Sequence, residues 1–225
     1  MVKKQNKINT IFIDCFNTII IRKSSTNSIF KQWAKEVASN FNIPWKAFYK
    51  TYKRVNFNLC FKKLFTSFTL QESLDVVLDS VESKLAKSFP EANFENFKTL
   101  AKTSYIETEL KNFELNQDII NMLINEKSNG KQIYLISDFY CTSDVFEYWF
   151  KELNILHLFD HLFSSCDFLK EKATGKIYKL IIKNLNINPQ NTMMYGDNLW
   201  SDVFMAKRHK LLATHVKQNR RNYEK

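Results

Sequence analysis

The sequence predicts an α/β fold in which a doubly wound parallel sheet carries an inserted helical segment. Short apolar runs recur along the chain, and from residue 116 onwards segments with helical periodicity separate them. Between the first and second runs lies a long stretch with helical periodicity alone. The chain contains only three Gly and three Pro, which favours long helices over a loop-rich sandwich or barrel. Strands that alternate with helices in this order indicate a parallel sheet with right-handed crossovers.

Five apolar runs are predicted strands. They cover residues 9–16, 132–136, 161–165, 192–195 and 213–216. The first contains Asp14 near its end, and the second follows Asn129 and Gly130, a pair typical of a helix C-terminus. Residues 118–126 and 145–153 carry helical patterns between the later strands.

The helical stretch extends from about residue 27 to residue 110. Two predicted helices carry apolar residues at helical spacing: Ile29, Trp33, Val37 and Phe41 in one, and Leu74, Val77, Val81 and Leu85 in the other. Thr69 and Glu72 form a capping box that opens the second helix. Because the sheet resumes afterwards, we interpret residues 23–115 as an inserted helical cap, or lid. Residues 1–22 and 116–225 then form the α/β core domain, and a separate helical domain is the alternative.

Composition excludes several classes of protein. A hydrophobic share of 44% with 20 Phe and 4 Trp is too apolar for a disordered chain. The four cysteines lie far apart without a CxxC pair, which argues against a zinc site and a disulfide framework. No apolar run approaches the ~18 residues of a membrane span, so we expect a cytoplasmic protein without membrane contact.

The net charge of +10 suits acidic ligands such as phosphorylated metabolites or nucleic acid. The lysines are scattered along the sequence, so we favour the simpler interpretation that they solvate the surface. Phe and Trp fall at helical core spacing, and nucleic-acid binding is therefore the less favoured interpretation.

Polar side chains follow four of the predicted strands. Asp14 follows the first strand, and Ser137 and Asp138 follow the second. A lysine-rich turn at residues 170–176 follows the third, and a loop with Asp197 and Asp202 follows the fourth. Ligands of doubly wound sheets bind beyond the carboxyl ends of the strands, near the point where the strand order reverses. We therefore expect these side chains to gather at one site.

Together these segments resemble the four motifs of the haloacid dehalogenase (HAD) superfamily, over residues 8–216. Gly196-Asp197 with Asp202 resembles its metal loop, and residues 133–137 resemble its second motif. More narrowly, Asp14-Cys15-Phe16-Asn17-Thr18 and Ser137-Asp138-Phe139-Tyr140 look like the bacterial subgroup with D-x-F-D-T and S-D-M-Y signatures. Members of that subgroup are often fused to, or encoded beside, glycosyltransferases of surface-polysaccharide biosynthesis. The resemblance implies a Rossmann-like core with a helical cap.

The resemblance also implies a role for each site residue. Asp14 is the nucleophile that forms an aspartyl-phosphate. Mg²⁺ is the expected cofactor, held by Asp14, by Asp197 or Asp202, and by the backbone carbonyl of Phe16. The catalytic candidates are Asp14, Lys172 and Ser137, and the substrate-binding candidates are Thr18, Ser137, Asp138, Lys172 and Arg22.

Several of these residues have a simpler interpretation. Asp14 could be a surface carboxylate at a strand end, Asp197 a turn former and Asp202 a helix cap. A serine that ends a strand, as Ser137 does, is common. Arg22 could be an ordinary surface residue.

Three lysines compete for the position that neutralises developing charge and restrains the nucleophile: Lys170, Lys172 and Lys176. We choose Lys172, because its spacing to Gly175 and to the apolar start of the next helix fits the subgroup best. The other two lysines are then expected to be solvated.

The first motif departs from that of the phosphatases of the superfamily. They carry an Asp two residues after the nucleophile, which protonates the leaving group and then activates water. Here that residue is Phe16, and Asn17 cannot act as an acid or base either, although Asp138 or a group of the substrate could replace it. The loss of one general acid–base group predicts slower hydrolysis by a factor of roughly 10²–10⁴. Dehalogenases of the superfamily also have an aromatic residue there, but they lack the paired acids that Asp197 and Asp202 provide.

The sequence therefore predicts a Mg²⁺-dependent hydrolase that transfers a phosphoryl group from a small phosphorylated metabolite, such as a sugar phosphate, to Asp14. The alternative is a catalytically weak interaction module that partners a glycosyltransferase. The enzymatic prediction requires Asp14, Asp197 and Asp202 to lie within reach of one divalent cation. If Asp14 turned away from the other two acids, or if a lysine or an apolar side chain filled the gap between them, the enzymatic prediction would fail and only the fold assignment would remain.

Overall fold

The computed structural model describes residues 7–66 and 72–217. Thr69 of the predicted capping box and the chain after residue 217 lie outside the described residues. The helix that follows begins at Leu74, and the Ser73 hydroxyl accepts a hydrogen bond from the Val76 amide (3.4 Å). None of the helices in these ranges combines the length and the apolar character of a membrane crossing.

The strands of the described chain are β1 (Thr10–Ile13), β2 (Ile20–Arg22), β3 (Phe113–Leu115), β4 (Gln132–Ser137), β5 (His161–Ser164), β6 (Thr192–Gly196) and β7 (Leu212–His215). The helices are α1 (Thr26–Asn40), α2 (Trp45–Thr66), α3 (Leu74–Ser88), α4 (Phe97–Lys111), α5 (Gln117–Ser128), α6 (Ser143–Glu152), α7 (Ser165–Phe168), α8 (Lys176–Asn184) and α9 (Met205–Arg208). Shorter 3₁₀ turns lie at Leu156–Leu158, Lys172–Thr174 and Pro189–Asn191, and a π-helical turn lies at Leu199–Phe204.

Five parallel strands form the main sheet, in the order β5-β4-β1-β6-β7. Ile13 of β1 pairs with Leu135 of β4 on one side and with Tyr195 of β6 on the other. The strand order therefore runs outward from β1 in both directions, which makes the sheet doubly wound. The predicted fold class is confirmed, and every predicted strand overlaps an observed one. The three-residue strands β2 and β3, which form a second sheet, were too short for an apolar pattern to reveal.

The order of the strands explains where a site can form. After β1 the chain passes to β4 on one side, and later it returns to β6 on the other. The loops that leave β1 and β6 consequently diverge at the carboxyl edge of the sheet, where a crevice opens. Asp14 lies in the first of these loops and Asp197 in the second.

Strand β1 is the centre of the core. All four of its residues are buried, since the strand is covered on both faces of the sheet. On one face Phe12 packs in a cluster with Met194 of β6, with Tyr178 of α8 and with Met205 of α9. Such complete burial leaves β1 little freedom, so the residue that follows it is held firmly.

The chain divides into two compact units. In the described ranges, one contains residues 7–21 and 114–217 and includes the main sheet, and the other contains residues 22–66 and 72–113 and includes α1 to α4. The helical unit has its own aromatic core, in which the Trp33 indole donates a hydrogen bond to the Ala101 carbonyl (2.8 Å). The rings of Phe48, Tyr52 and Tyr105 surround Trp33 edge-on at 4.9–5.4 Å. Its role as a lid stays a prediction.

Arg22, a candidate for substrate binding, belongs to this helical unit. Its guanidinium donates two hydrogen bonds to the carboxylate of Glu109, at 2.9 and 2.8 Å. Glu109 is fully buried, and its carboxylate also accepts a hydrogen bond from the Tyr105 hydroxyl (2.7 Å). A bidentate pair with a buried carboxylate is a structural role that the sequence did not suggest. Substrate binding by Arg22 stays a prediction.

The variant Arg22→Met tests that structural role. Removing the cation leaves the buried Glu109 carboxylate uncompensated, so the free energy of unfolding should fall by about 3–5 kcal/mol. Urea denaturation followed by circular dichroism measures the change, and Lys23→Met, at the exposed neighbouring position, is the control. Equal stability of the two variants would show that the pair of Arg22 with Glu109 does not stabilise the helical unit.

Candidate active site

Asp14 lies one residue beyond β1, at the carboxyl edge of the sheet. Its amide donates a hydrogen bond to the Tyr195 carbonyl of β6 (2.9 Å), which fixes the main chain at this position. Its side chain is almost buried, and the Thr18 hydroxyl lies 3.4 Å from its Oδ2 atom. Asp14 is therefore not a surface carboxylate but a buried acid held by the two central strands.

Lys172 provides the cation of the site. Its Nζ atom forms ion pairs with the Oδ1 atoms of Asp14 and of Asp202, the latter at 2.7 Å, and the residue is 2% exposed. Lys176 is exposed, whereas the Nζ of Lys170 bonds to the Phe168 carbonyl (3.3 Å). Of the three competing lysines, the structure brings Lys172 to the carboxylates.

The loop after β6 folds back so that Asp202 points towards β1. Asn198 caps this turn, because its Oδ1 accepts hydrogen bonds from the amides of Trp200 (2.9 Å) and Ser201 (3.0 Å). Oδ2 of Asp202 accepts from the Asn198 amide (3.1 Å), and Asp202 is 1% exposed. A Cβ atom at Gly196 would lie 2.3 Å from that same oxygen, so glycine is required for this close approach. The capping role considered for Asp202 thus belongs to Asn198.

The carboxylates of Asp14, Asp197 and Asp202 converge. One oxygen of each lies within 4.8 Å of the others, in the part of the chain that the structure describes. Mg²⁺ binds oxygen at 2.0–2.1 Å, which places opposite ligands about 4.2 Å apart. Only one pair of the three oxygens can be opposite in one shell, so the side chains would have to move closer together before all three could bind the same ion. Lys172 pairs with one oxygen of Asp14 and one of Asp202, so it lies between two of the three acids and competes with a cation for them.

The charges of the site shift its proton affinities. The pKa of Asp14 rises from 3.8 to about 7, mainly because the carboxyl group is buried; Lys172 opposes this rise, and the neighbouring Asp202 and Asp197 contribute to it. Burial alone would lower the pKa of Lys172, but Asp14 and Asp202 hold it well above its ordinary value. Lys172 is thus a permanent cation, whereas Asp14 in the metal-free protein gains a proton near neutral pH.

Ser137 ends β4 with a buried hydroxyl group. The residue is 1% exposed, and its Oγ atom has no hydrogen-bond partner among the described residues. A buried hydroxyl without a partner is costly, and at a ligand-binding edge it indicates a place where a ligand atom completes the hydrogen bonding. Ser137 therefore fits its predicted role towards a phosphoryl oxygen.

Asp138, the next residue, interacts with the protein main chain. Its two oxygens accept hydrogen bonds from the amides of Lys172 (2.8 Å) and Ala173 (3.4 Å). Burial raises the pKa of Asp138, although Lys172 opposes the shift. Asp138 thus holds the turn that carries Lys172, and its predicted contact with substrate stays a prediction.

The side chain of Phe16 is directed into the aromatic core. Its ring packs against Phe139, Phe146 and Trp149, with ring centroids 5.1–6.3 Å apart, and all three of these neighbours are buried. A carboxylate at this position would face hydrocarbon instead of the crevice, unless the loop rearranged. Metal binding by the Phe16 carbonyl stays a prediction.

The sequence did not predict the positioning roles of two residues, Asn17 and Trp200. Asn17 adopts a left-handed conformation (φ 57°), and its amide group donates to Oδ2 of Asp197 (3.4 Å). Trp200 donates from its indole nitrogen to the Ala173 carbonyl (3.0 Å), which ties the lysine turn to the loop after β6. Asparagine is the ordinary residue that tolerates a positive φ, so a sequence signal existed for Asn17. None pointed to Trp200.

The variant Asp14→Asn is expected to stabilise the metal-free protein. Because folding raises the pKa of Asp14 from 3.8 to about 7, the folded protein loses stability as the pH rises between these values. Asparagine carries no charge and suffers no such loss. In EDTA above pH 7, the variant should melt at least about 3 °C higher than the native protein, and the difference should shrink towards pH 4. A variant that melts lower above pH 7 would show that the ion pair with Lys172 outweighs the burial of the charge.

The chain is similar to known proteins in sequence and in fold. The haloacid dehalogenase-like hydrolase family matches residues 8–210 of the chain. A search among curated proteins gives no match.

Solved structures share the fold at low identity. A HAD phosphatase from Thermococcus onnurineus is 18% identical, with a TM-score of 0.58 over 96% of this chain and 90% of that one. YfnB from Bacillus subtilis, assigned to the HAD hydrolases and solved with magnesium, is 16% identical, with a TM-score of 0.59 over 96% and 89%. The L-2-haloacid dehalogenase from Xanthobacter autotrophicus is 12% identical, with a TM-score of 0.56 over 93% and 77%. These structures are similar in fold, and the family match over nine-tenths of the sequence shows that the chain belongs to the haloacid dehalogenase-like hydrolases.

Proposed function

We propose that this hydrolase is a Mg²⁺-dependent phosphoryl-transfer enzyme that acts on a small phosphorylated metabolite, such as a sugar phosphate. The observation that carries the proposal is the convergence of Asp14, Asp197 and Asp202 within 4.8 Å, with Lys172 against two of them. The chain shares its fold with a HAD phosphatase and with a magnesium-bound HAD hydrolase, which is consistent with the proposal.

The charge balance of the site supports a divalent cation. When all three carboxylates are ionised, as they are above pH 7, they and the Lys172 ammonium carry a net charge of about −2 at the edge of the sheet. A phosphate ester is itself an anion, so it cannot approach this site unless more positive charge is present. Bound Mg²⁺ would neutralise the repulsion between the acids and the phosphoryl group and would align the two.

The three acids differ in how well they are suited to bind the cation. Asp202 already engages Lys172 and Ser201 through Oδ1 and the Asn198 amide through Oδ2. Asp14 engages Lys172 through Oδ1 and has a long contact with the Thr18 hydroxyl at Oδ2 (3.4 Å), and Asp197 is the least buried of the three acids. These two are therefore the better ligands, together with the carbonyl of Phe16. Asp202 then acts mainly by holding Lys172 beside Asp14.

The chemistry proceeds on Asp14. One of its carboxylate oxygens attacks phosphorus, a new O–P bond forms, and the P–O bond to the leaving group breaks with its electron pair on the departing oxygen. Lys172 and the Ser137 hydroxyl would stabilise the charge on the phosphoryl oxygens. The product on the protein is an aspartyl-phosphate.

The hydrolysis of the aspartyl-phosphate lacks a general acid–base group. Water must lose a proton as it attacks the aspartyl-phosphate, and the Phe16 ring can neither accept that proton nor supply one to the leaving group. Both oxygens of Asp138 accept main-chain hydrogen bonds, which makes it a poor substitute. We therefore expect phosphorylation of Asp14 to be faster than its hydrolysis, which favours phosphotransfer to an acceptor or a long-lived phosphoprotein.

Carbon–halogen cleavage, which the dehalogenase neighbours perform, is less compatible with this site. A 2-haloacid carries a carboxylate, and three acids within 4.8 Å of one another would repel it. Only one of those acids would have a task in halide displacement. Asp202 holds Lys172, and Asp197 beside Asp14 is suited to a bound divalent cation.

The second candidate function is an interaction module of the subgroup associated with glycosyltransferases. Beside the site, Leu199, Trp200 and Phe204 expose 63%, 56% and 49% of their surfaces, and the rings of Trp200 and Phe204 are stacked 4.8 Å apart. An exposed apolar cluster of this kind is typical of a protein-binding surface. Slow turnover at Asp14 would suit a protein whose main task is binding.

Burst kinetics test the enzymatic proposal. With excess p-nitrophenyl phosphate, whose leaving group needs no proton, the protein with Mg²⁺ should release about one equivalent of nitrophenolate quickly. Turnover should then fall by roughly 10²–10⁴, because no side chain activates water. Stopped-flow absorbance measures both phases, and intact-protein mass spectrometry detects the phosphorylated Asp14.

Two variants control this experiment. Asp14→Asn should abolish the burst, and Asp118→Asn, at an exposed position in α5, should leave it unchanged. A burst that survives in Asp14→Asn would refute the nucleophile. A native protein that neither binds Mg²⁺ in calorimetry nor shows a burst would favour the interaction module.

A further inference from the structure

Helix α2 of the helical unit has an unusual charge composition. Its 22 residues include six basic side chains and no Asp or Glu: Lys46, Lys50, Lys53, Arg54, Lys62 and Lys63. Most helices of soluble proteins balance their charges, since like charges three or four residues apart repel one another. Lys46 and Lys53 lie over the rings of Trp45 and Tyr49, but no Asp or Glu of the helix balances its positive charge, which suggests an external anionic partner.

Four of the six basic residues, Lys46, Lys50, Lys53 and Arg54, lie on one side of the helix. Phe48, Tyr52 and Val55 are buried and face the helical core. At 3.6 residues per turn, the residues opposite this buried side lie within an arc of about 100° around the helix axis. We name this side the basic face and define it by Lys46, Lys50, Lys53, Arg54, Phe57 and Phe61.

The basic face is open to solvent. Phe57 is 69% exposed and Phe61 is 54% exposed, and their rings stack on each other at 6.1 Å. Lys46, Lys50, Lys53 and Arg54 are all exposed. None of these four forms an ion pair with a carboxylate of the described residues. Two large apolar rings therefore protrude from a surface of uncompensated positive charge.

Aromatic residues also flank the basic face. The Trp45 ring has the ammonium groups of Lys35 and Lys46 over it at 5.5 and 5.9 Å, and Lys53 lies 5.3 Å from the centroid of the Tyr49 ring. Both rings are half-buried. Half-buried Trp and Tyr beside basic side chains are typical of the boundary between a lipid headgroup layer and the hydrocarbon below it.

We propose that the basic face of α2 binds an anionic lipid surface, with its lysines and arginine on the headgroup phosphates and Phe57 and Phe61 inserted between them. A helix of 22 residues is about 33 Å long, and its outer side offers a straight contact suited to a flat bilayer. Each basic residue near an anionic membrane increases the affinity about fivefold, and the apolar rings add to this. This proposal replaces the expectation that the protein has no membrane contact.

Nucleic acid is the other polyanion to consider, and the aromatic rings argue against it. Single-stranded nucleic acid binds by stacking its bases on open ring faces. Here lysines cover a face of Trp45 and of Tyr49, and Phe57 and Phe61 stack on each other. An insertion of phenylalanine side chains into lipid needs no open ring face.

Vesicle flotation tests the proposal with the full chain. Vesicles of phosphatidylcholine with phosphatidylglycerol should bind the protein, and vesicles of phosphatidylcholine alone should not. High salt should weaken the binding, since the contact is largely electrostatic. Failure to bind the anionic vesicles at low salt would overturn the proposal.

Two quadruple variants identify the surface. Replacing Lys46, Lys50, Lys53 and Arg54 by Gln should weaken binding at least tenfold. The matched control replaces Lys179, Lys183, Lys207 and Arg208 by Gln, which removes the same charge from exposed positions on the other unit and should change binding less than twofold. Circular dichroism checks that both variants fold. An equal loss in the two variants would mean that only net charge matters, and the basic face would have no special role.

A third variant and a competitor complete the test. Phe57→Ser with Phe61→Ser should weaken vesicle binding about tenfold without changing its salt dependence, because it removes the inserted groups alone. Fluorescence anisotropy with labelled polyuridylate measures the competing ligand. Tighter binding of polyuridylate than of anionic vesicles, lost in the first quadruple variant, would assign the face to nucleic acid and overturn the lipid proposal.

Discussion

The site depends on one buried interaction, the ammonium of Lys172 placed between the carboxylates of Asp14 and Asp202. All three groups are at most 6% exposed, so each has lost most of its hydration. Charges in such a place are tolerable only when paired and hydrogen-bonded. The surrounding structure supplies those partners: the Asn198 amide for Asp202, the Thr18 hydroxyl for Asp14, and Asp138 for the turn that carries the lysine.

One positive charge is not enough for these acids. With Asp197 included, the carboxylates exceed the cations by two, and burial with mutual repulsion raises the pKa of Asp14 to about 7. Functional sites often store this kind of electrostatic strain, because a ligand that relieves it binds with the energy released. A divalent cation is the simplest ligand that would relieve it here.

Phe16 illustrates how packing and chemistry compete at a single position. The residue two places after the candidate nucleophile contributes its ring to the cluster of Phe139, Phe146 and Trp149, which packs behind the first loop. The ring is held by apolar contacts at the position where the phosphatases of the superfamily carry an acid. Under the proposed function, this arrangement would allow a covalent intermediate on Asp14 to form but would slow its hydrolysis.

The sequence predicted much of the architecture. Five apolar runs predicted five strands, and the polar residues at their ends predicted the site, because a parallel sheet collects its strand ends at one edge. Lys172, which was chosen from three lysines because its spacing fits the resembling subgroup, is the one that lies against Asp14 and Asp202; its catalytic role stays a prediction. Local patterns could not show that the Phe16 ring turns away from the crevice, that Arg22 pairs with Glu109, or that Asp138 binds main-chain amides.

The basic face of α2 was hidden in the same way, since lysines that look scattered along the chain gather only when the helix turns them to one side. Sequence alone determined which residues could do chemistry, since that follows from residue type and short-range spacing. The tertiary structure decided which charges share a buried space. Lys172 and Asp14 are 158 residues apart in the chain, and the energy of their contact depends on burial that no local pattern encodes.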